Sequence, residues 1–132
     1  MQHPLELATS RYHAAELIRA SGLAPVAISL GLPKWPLGYE LAGHLIELAP
    51  RRAIFHLPWE QFEPAYLREL DRVGWAAVEE QLRSIAAAAG SAGCVLLCFE
   101  NILRGERCHR RLAAEHWRER TGQDVPELGG GA

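Results

Sequence analysis

Cys94-Val95-Leu96-Leu97-Cys98-Phe99 is a run of six residues without a charged or amide side chain, followed at once by Glu100-Asn101 and preceded by a turn over residues 90–93. The run has strand length and is apolar at both odd and even positions. An extended segment of that kind is covered on both faces, as a central strand of a parallel sheet is. Parallel neighbours require long crossover connections, so helices are expected on either side of it in the chain.

Those helices can be read outward from the run. Upstream, residues 75–89 place Val78, Leu82, Ile85 and Ala86 on one helical face, and residues 59–73 do the same with Phe62, Tyr66, Leu67 and Leu70. Gly74 separates the two. Downstream, residues 108–121 turn Leu112, Ala113, His116 and Trp117 inward, and Gly122 ends that helix. Further upstream, residues 5–8 are read as a short strand. Thr9-Ser10 are read as the cap of a helix over 12–20, and residues 25–30 as a buried strand broken by Gly31-Leu32-Pro33. Leu37, Leu41, Leu45 and Leu48 have helical spacing before Pro50, and residues 53–57 read as a third strand closed by Pro58. Residues 124–128 are expected to add an edge segment, and the Pro- and Gly-rich stretch 31–38 is a candidate functional loop. Alternating strands and helices predict an α/β fold: a small three-layer sandwich with a mostly parallel sheet, Rossmann-like. At 132 residues the chain is expected to form one domain over 1–128, with a flexible Gly-rich tail at 129–132.

The formal net charge of −2 provides no global attraction for nucleic acid or an anionic membrane, so any such binding needs a local basic patch. No stretch is apolar enough to span a bilayer, and Met1-Gln2-His3-Pro4 lacks the features of a secretory signal. Three cysteines are an odd number and are not spread as a disulfide framework, which points to a reducing, cytoplasmic setting.

Ligands of such sheets bind beyond the carboxyl ends of the strands. There the chain offers Thr9, Ser10 and Arg11, then Lys34, Trp35 and Tyr39, then His56, and finally Glu100, Asn101, Cys108, His109 and Arg110. Cys108 falls at a helix start, where the helix dipole and Arg110 favour a thiolate, with His109 as proton carrier. The alternative is a thiol packed beneath the helix. Cys94 suits core packing, whereas Cys98 suits core and site equally. Glu100, directly after a buried strand, is either a general base or hydroxyl anchor, or the partner of Arg104, Arg107 or Arg110 in an ion pair.

Cys98, Cys108, His109 and His56 could supply zinc ligands, but the C-x9-C-H spacing matches no common zinc module, and no metal site is assigned from it. Arg11, Lys34 and Arg110 together would make an anion pocket, with Tyr39 as a further substrate contact; singly, each is better read as a solvated charge or a cap. Trp35 and Trp59 could stack a base or fill core gaps. There is no Gly-rich phosphate loop, no G-x-S-x-G elbow and no zinc-protease helix motif.

Leu96-Leu97-Cys98-Phe99-Glu100 followed by Cys108-His109-Arg110-Arg111 resembles the bacterial and phage family called domain of unknown function 488. Supporting segments are Thr9-Ser10-Arg11-Tyr12, Ile28-Ser29-Leu30-Gly31-Leu32-Pro33-Lys34-Trp35, and Thr121-Gly122 with residues 125–128. The resemblance spans nearly the whole chain and departs from the family pattern in the loop 101–107. It implies a compact α/β domain with Arg11, Lys34, Glu100, Cys108, His109 and Arg110 as motif positions, and it carries no activity.

The leading expectation is an enzyme acting on a nucleotide, nucleoside or nucleic-acid-linked substrate. Glu100, Cys108 and His109 would be catalytic, and Arg11, Lys34, Tyr39 and Arg110 would bind substrate. The alternatives are a non-catalytic nucleic-acid-binding or regulatory module, and a thiol or metal site. The expected partner is a phosphate-bearing small molecule or nucleic acid, not a membrane. The sequence names no cofactor and no oligomeric state.

Overall fold

The computed structural model describes residues 4–130. Its centre is a four-stranded sheet, all parallel, formed by β1 (Glu6–Arg11), β2 (Ala24–Ala27), β3 (Gly43–His44) and β4 (Gly93–Cys98) in the order β1-β4-β2-β3. The run that opened the reading is therefore an inner strand: Leu7 pairs with Cys94 on one side and Ala24 with Cys94 on the other. All six residues of β4 are buried.

The helices are α1 (Ala15–Ser21), α2 (Arg52–Phe55), α3 (Trp59–Val73), α4 (Trp75–Ala88) and α5 (His109–Thr121). Because side chains alternate along a strand, the sheet carries two apolar layers. Leu7, Val26, Cys94 and Leu96 face α3, α4 and α5 through Tyr66, Leu70, Leu82, Ala113 and Trp117. Ala8, Ala27, Val95 and Leu97 face Ile18 of α1, with Trp35, Leu37, Tyr39 and Leu41 packed against them. This is the expected three-layer α/β sandwich. No helix among the described residues is long and apolar enough to cross a membrane.

Several local expectations are corrected. The four leucines at 37, 41, 45 and 48 do not share a helix face. Leu37 and Leu41 pack on the α1 side of the sheet, whereas Leu45 and Leu48 pack on the other. The chain crosses the sheet edge between them as β3, held by Ala42 N–H to the Pro25 carbonyl and Leu45 N–H to the Ala27 carbonyl. Gly43 permits that crossing, since a Cβ there would lie 2.7 Å from Cδ1 of Ile85. Residues 53–57, read as a strand, instead overlap the one-turn helix α2, which covers 53–55 of them; short apolar runs do not separate the two states by pattern. Thr9 and Ser10 lie inside β1 and cap nothing, and α1 begins only at Ala15 with no side-chain cap. β2 ends at Ala27, although Ile28 N–H still bonds the Leu97 carbonyl.

The C-terminal segment does join the sheet edge. Thr9 N–H bonds the Pro126 carbonyl and Leu128 N–H bonds the Thr9 carbonyl, forming a parallel bridge between Thr9 and Glu127. Of the expected tail, Gly130 N–H bonds the Glu127 carbonyl; residues 131–132, like residues 1–3, lie outside the described residues.

Candidate functional site

The site is built where β4 and β2 end side by side. β4 delivers Cys98, and the chain then turns out through Phe99 to Glu100. α5 starts opposite, with Cys108 as its N-cap: the Arg110 backbone N–H donates to Cys108 Sγ at 3.4 Å. His109, the first helical residue, swings its ring across the end of β2. There Nε2–H donates to the Ile28 carbonyl at 2.6 Å. A carbonyl only accepts, so Nε2 carries the hydrogen and Nδ1 is turned toward the sulfurs. It lies 3.7 Å from Cys98 Sγ and 3.8 Å from Cys108 Sγ. The Cys98 thiol also donates to Glu100 Oε1 at 3.2 Å.

The Ile28 carbonyl is held in place by its neighbour. The Ser29 hydroxyl donates to the Gly31 carbonyl at 2.7 Å and so accepts from the Tyr12 hydroxyl at 2.6 Å. His44 Nε2–H donates to the Ser29 carbonyl at 2.7 Å. Three hydrogen bonds thus fix the turn after β2, and through it the orientation of the His109 ring.

One ligand-type atom from each of Cys98, Glu100, Cys108 and His109 lies within 4.8 Å of the others. Cys98, Cys108 and His109 are buried and Glu100 is half-buried. Burial alone would raise the Cys108 thiol. Hydrogen bonding with Cys98 and His109, then the charges of His109 and Arg110, outweigh it and leave the thiol well below its ordinary value. Cys98 moves the opposite way, raised by its hydrogen bond to Cys108 and by burial. Burial also raises Glu100, with the Cys108 charge adding to it. Burial opposes charge on His109, but its hydrogen bond to Cys108 and that group's charge prevail and raise it. These directions favour a thiolate on Cys108 and charge on His109, beside a Cys98 thiol and a Glu100 carboxyl that hold their protons more tightly than usual.

These four groups form the floor of a cleft of about 740 Å³. Its walls include the Ser29–Gly31 turn, Arg52, Phe55 and His56 around α2, Trp59 and Phe62 of α3, and Arg107. Trp59 stacks on Phe62 at 5.4 Å between centroids, and the Arg107 guanidinium lies 5.6 Å above the Trp59 ring.

Of the residues singled out from the sequence, Glu100, Cys108 and His109 come together here. Among the described residues Glu100 has no ion pair with Arg104, Arg107 or Arg110. Arg11, Lys34, Tyr39 and Arg110 do not line the cleft. Arg110 is fully buried and bonded to Glu127, Tyr39 donates its hydroxyl to the Tyr12 carbonyl at 2.8 Å, and Lys34 is exposed on the connection from β2 to β3. Trp35 stacks on His13 at 4.4 Å on the α1 side. The cleft's own cations, Arg52 and Arg107, are not among the binding groups expected from the sequence. Reading 53–57 as a strand hid the first, and the second was weighed only as a partner for Glu100.

A family model matches residues 19–117, well over half of the chain, and that span contains all four floor residues. The chain belongs to the family described as Domain of unknown function DUF488. No curated protein and no solved structure matches it. For this DUF488 member the site must therefore be read from its own chemistry. The four floor groups lie in the matched span, whereas Arg11 and Glu127 lie outside it.

Proposed function

We propose that this DUF488 protein is an enzyme acting on a nucleotide, nucleoside or nucleic-acid-linked substrate, with its reaction centre at Cys98, Glu100, Cys108 and His109. The observation that carries this reading is the convergence of those four groups on the floor of a substrate-sized cleft. Small-molecule sites are concave and largely apolar, with a few convergent polar groups, and span about 300–1,000 Å³. The cleft has that character: aromatic walls at Phe55, Trp59 and Phe62, and two arginines at its rim. The rings suit a base, and Arg52 and Arg107 suit a phosphate. Glu100 is the floor group that also reaches solvent, which fits a proton carrier for the substrate. The three cysteines are unpaired, in keeping with a reducing compartment such as the cytoplasm.

Titration calorimetry with a nucleoside, its monophosphate and a short single-stranded oligonucleotide tests this. The monophosphate is expected to bind, and Trp59→Ala and the double change Arg52→Ala/Arg107→Ala are each expected to weaken it about tenfold or more. Binding by the oligonucleotide alone, unaffected by Trp59→Ala, would favour the non-catalytic nucleic-acid module. Absence of binding by all three ligands would end the reading.

A further inference from the structure

The floor groups carry a more specific assignment, which rests on the same four residues as the reading above but not on its substrate. We propose that Cys98, Cys108 and His109, completed by Glu100, hold one zinc ion. Zinc takes sulfur at about 2.3 Å and nitrogen or carboxylate oxygen at about 2.0–2.2 Å, so a tetrahedral site has ligand-to-ligand edges of about 3.3–3.8 Å. Cys98 Sγ and Cys108 Sγ lie 3.7 and 3.8 Å from His109 Nδ1, and Cys98 Sγ lies 3.2 Å from Glu100 Oε1. All four ligand atoms lie within 4.8 Å of one another, so the widest pair has at most about 1 Å to close around one small ion at the centre.

The surroundings fit as well. A metal-bound histidine donates its other N–H to a carbonyl or carboxylate, which fixes the tautomer. His109 does this through Nε2–H to Ile28, and the Ser29 network described above braces that turn. The Arg110 backbone N–H reaches Cys108 Sγ, as suits a thiolate. Two sulfurs and an imidazole select zinc over magnesium or calcium, which take all-oxygen sites. On binding, two protons leave for solvent, one from the Cys98 thiol and one from the Cys108–His109 pair; both sulfurs then bind as thiolates, while Nδ1 and the Glu100 carboxylate contribute lone pairs, with no change of oxidation state.

The four ligands come from a strand end, the residue two beyond it, a helix N-cap and the first helical residue. That explains why their spacing matches no contiguous zinc module. Glu100 is the half-buried ligand and faces the cleft. It is therefore the one that water or a substrate oxygen can displace, as in zinc sites that keep one position open for chemistry.

The test uses the full chain purified without chelator under reducing conditions. Metal analysis is expected to find one zinc per chain. Replacement by cobalt(II) is expected to give a thiolate-to-metal charge-transfer band and the intense visible bands of a tetrahedral ion. Cys98→Ser, Cys108→Ser and His109→Gln should each lower zinc affinity by more than about 100-fold, the upper end of what loss of an outer-shell partner costs. Glu100→Gln should weaken it less, and Cys94→Ser, on the same strand but outside the cluster, should leave it unchanged. Because the cobalt spectrum is read on the unaltered protein, misfolding of a variant does not obscure the result. A reduced, folded protein that takes up neither zinc nor cobalt overturns the assignment, as does a cobalt spectrum without sulfur character. Calorimetry on the same preparation separates the two claims. Monophosphate binding without metal uptake removes the zinc and leaves the substrate reading, whereas stoichiometric zinc without binding of nucleoside, monophosphate or oligonucleotide does the reverse.

Discussion

Arg110 and Glu127 form a two-pronged ion pair in which the guanidinium is wholly buried: Nε donates to Oε1 at 3.0 Å and Nη2 to Oε2 at 2.9 Å. The pair ties the first turn of α5 to the segment that bridges the edge of β1. Thr9 adds its hydroxyl to Glu127 Oε1 at 2.7 Å, and Arg111 bonds both Thr9 and the Val125 carbonyl. The arginine beside the Cys-His pair is thus a structural clamp that does not line the cleft, although its charge still acts on Cys108.

Removing one partner of such a pair leaves a buried charge uncompensated. Glu127→Ala is expected to cost about 3–5 kcal/mol, and Glu127→Gln less, since the amide oxygen can still accept. The urea midpoint reports it. A shift equivalent to under about 1 kcal/mol, the worth of an exposed pair, would mean that water reaches Arg110 once the carboxylate is gone.

The Tyr12 hydroxyl, donated to Ser29 in the core, makes stability fall in alkali. Burial pushes its phenol up to about 12 from 10.0. The folded state therefore keeps the proton over a range where the unfolded state loses it. Stability from this group is fully present below about pH 10 and declines toward pH 12, by up to about 2.7 kcal/mol for a two-unit shift. Burial also pushes Cys94 to about 12 and raises Tyr66 well above its ordinary value, so both contribute with the same sign, Cys94 from about pH 9. Urea midpoints should be flat between pH 7 and 8.5 and fall steeply by pH 11, with a shallower fall in Tyr12→Phe. A flat profile to pH 11 would contradict the burial of these groups.

The parts legible in the sequence were those set by local pattern. Residues 94–99 read as an inner strand because every position is apolar, and α3, α4 and α5 read as helices because Phe62, Tyr66 and Leu70, or Val78, Leu82 and Ala86, recur on one face. Residues 37–48 mislead because their leucines obey helical spacing while serving opposite faces of the sheet. Only tertiary pairing of β3 with β2 decides between those options. Cys98, Glu100, Cys108 and His109 were legible as a group because they flank one strand end and one helix start. Their shared centre was not, since it depends on the Ile28 carbonyl that turns the His109 ring. Arg11, Lys34 and Arg110 looked like one basic edge, but burial against Glu127 takes Arg110 out of it.

His116 of α5 links two helices through a chain whose direction is set by chemistry. The Trp75 indole N–H can only donate, so His116 Nδ1 accepts at 2.8 Å, and Nε2–H donates to the Asp71 carboxylate at 2.8 Å. That hydrogen bond holds Asp71 below the usual carboxylate range. His116→Ala should leave the indole N–H without its partner and cost about 1–3 kcal/mol. Nitrogen NMR of the ring should show the Nε2–H tautomer. Finding the Nδ1–H form would reverse the chain and remove the basis for that cost.

The start of β4 places the tightest steric demand on the fold. Gly93 pairs with Glu6, and a Cβ on Gly93 would lie 1.8 Å from the Glu6 carbonyl oxygen. That neighbour is backbone of an adjacent strand, so no side-chain rotation relieves the clash. Gly93→Ala must push β1 from β4 or shift the register that puts Cys98 opposite Arg11 and beside the His109 ring. Overpacking of this kind costs about 1–3 kcal/mol or more, here the larger end because the obstacle is main chain. The expected result is a lowered urea midpoint together with a distorted cobalt spectrum, since the same strand carries Cys98 five residues on. Ser91→Ala serves as the control. It removes hydrogen bonds to the Gly22 and Gly93 carbonyls without adding bulk, and should lower stability while leaving the spectrum intact. A Gly93→Ala protein as stable as the parent would mean that β1 and β4 do not meet in this register.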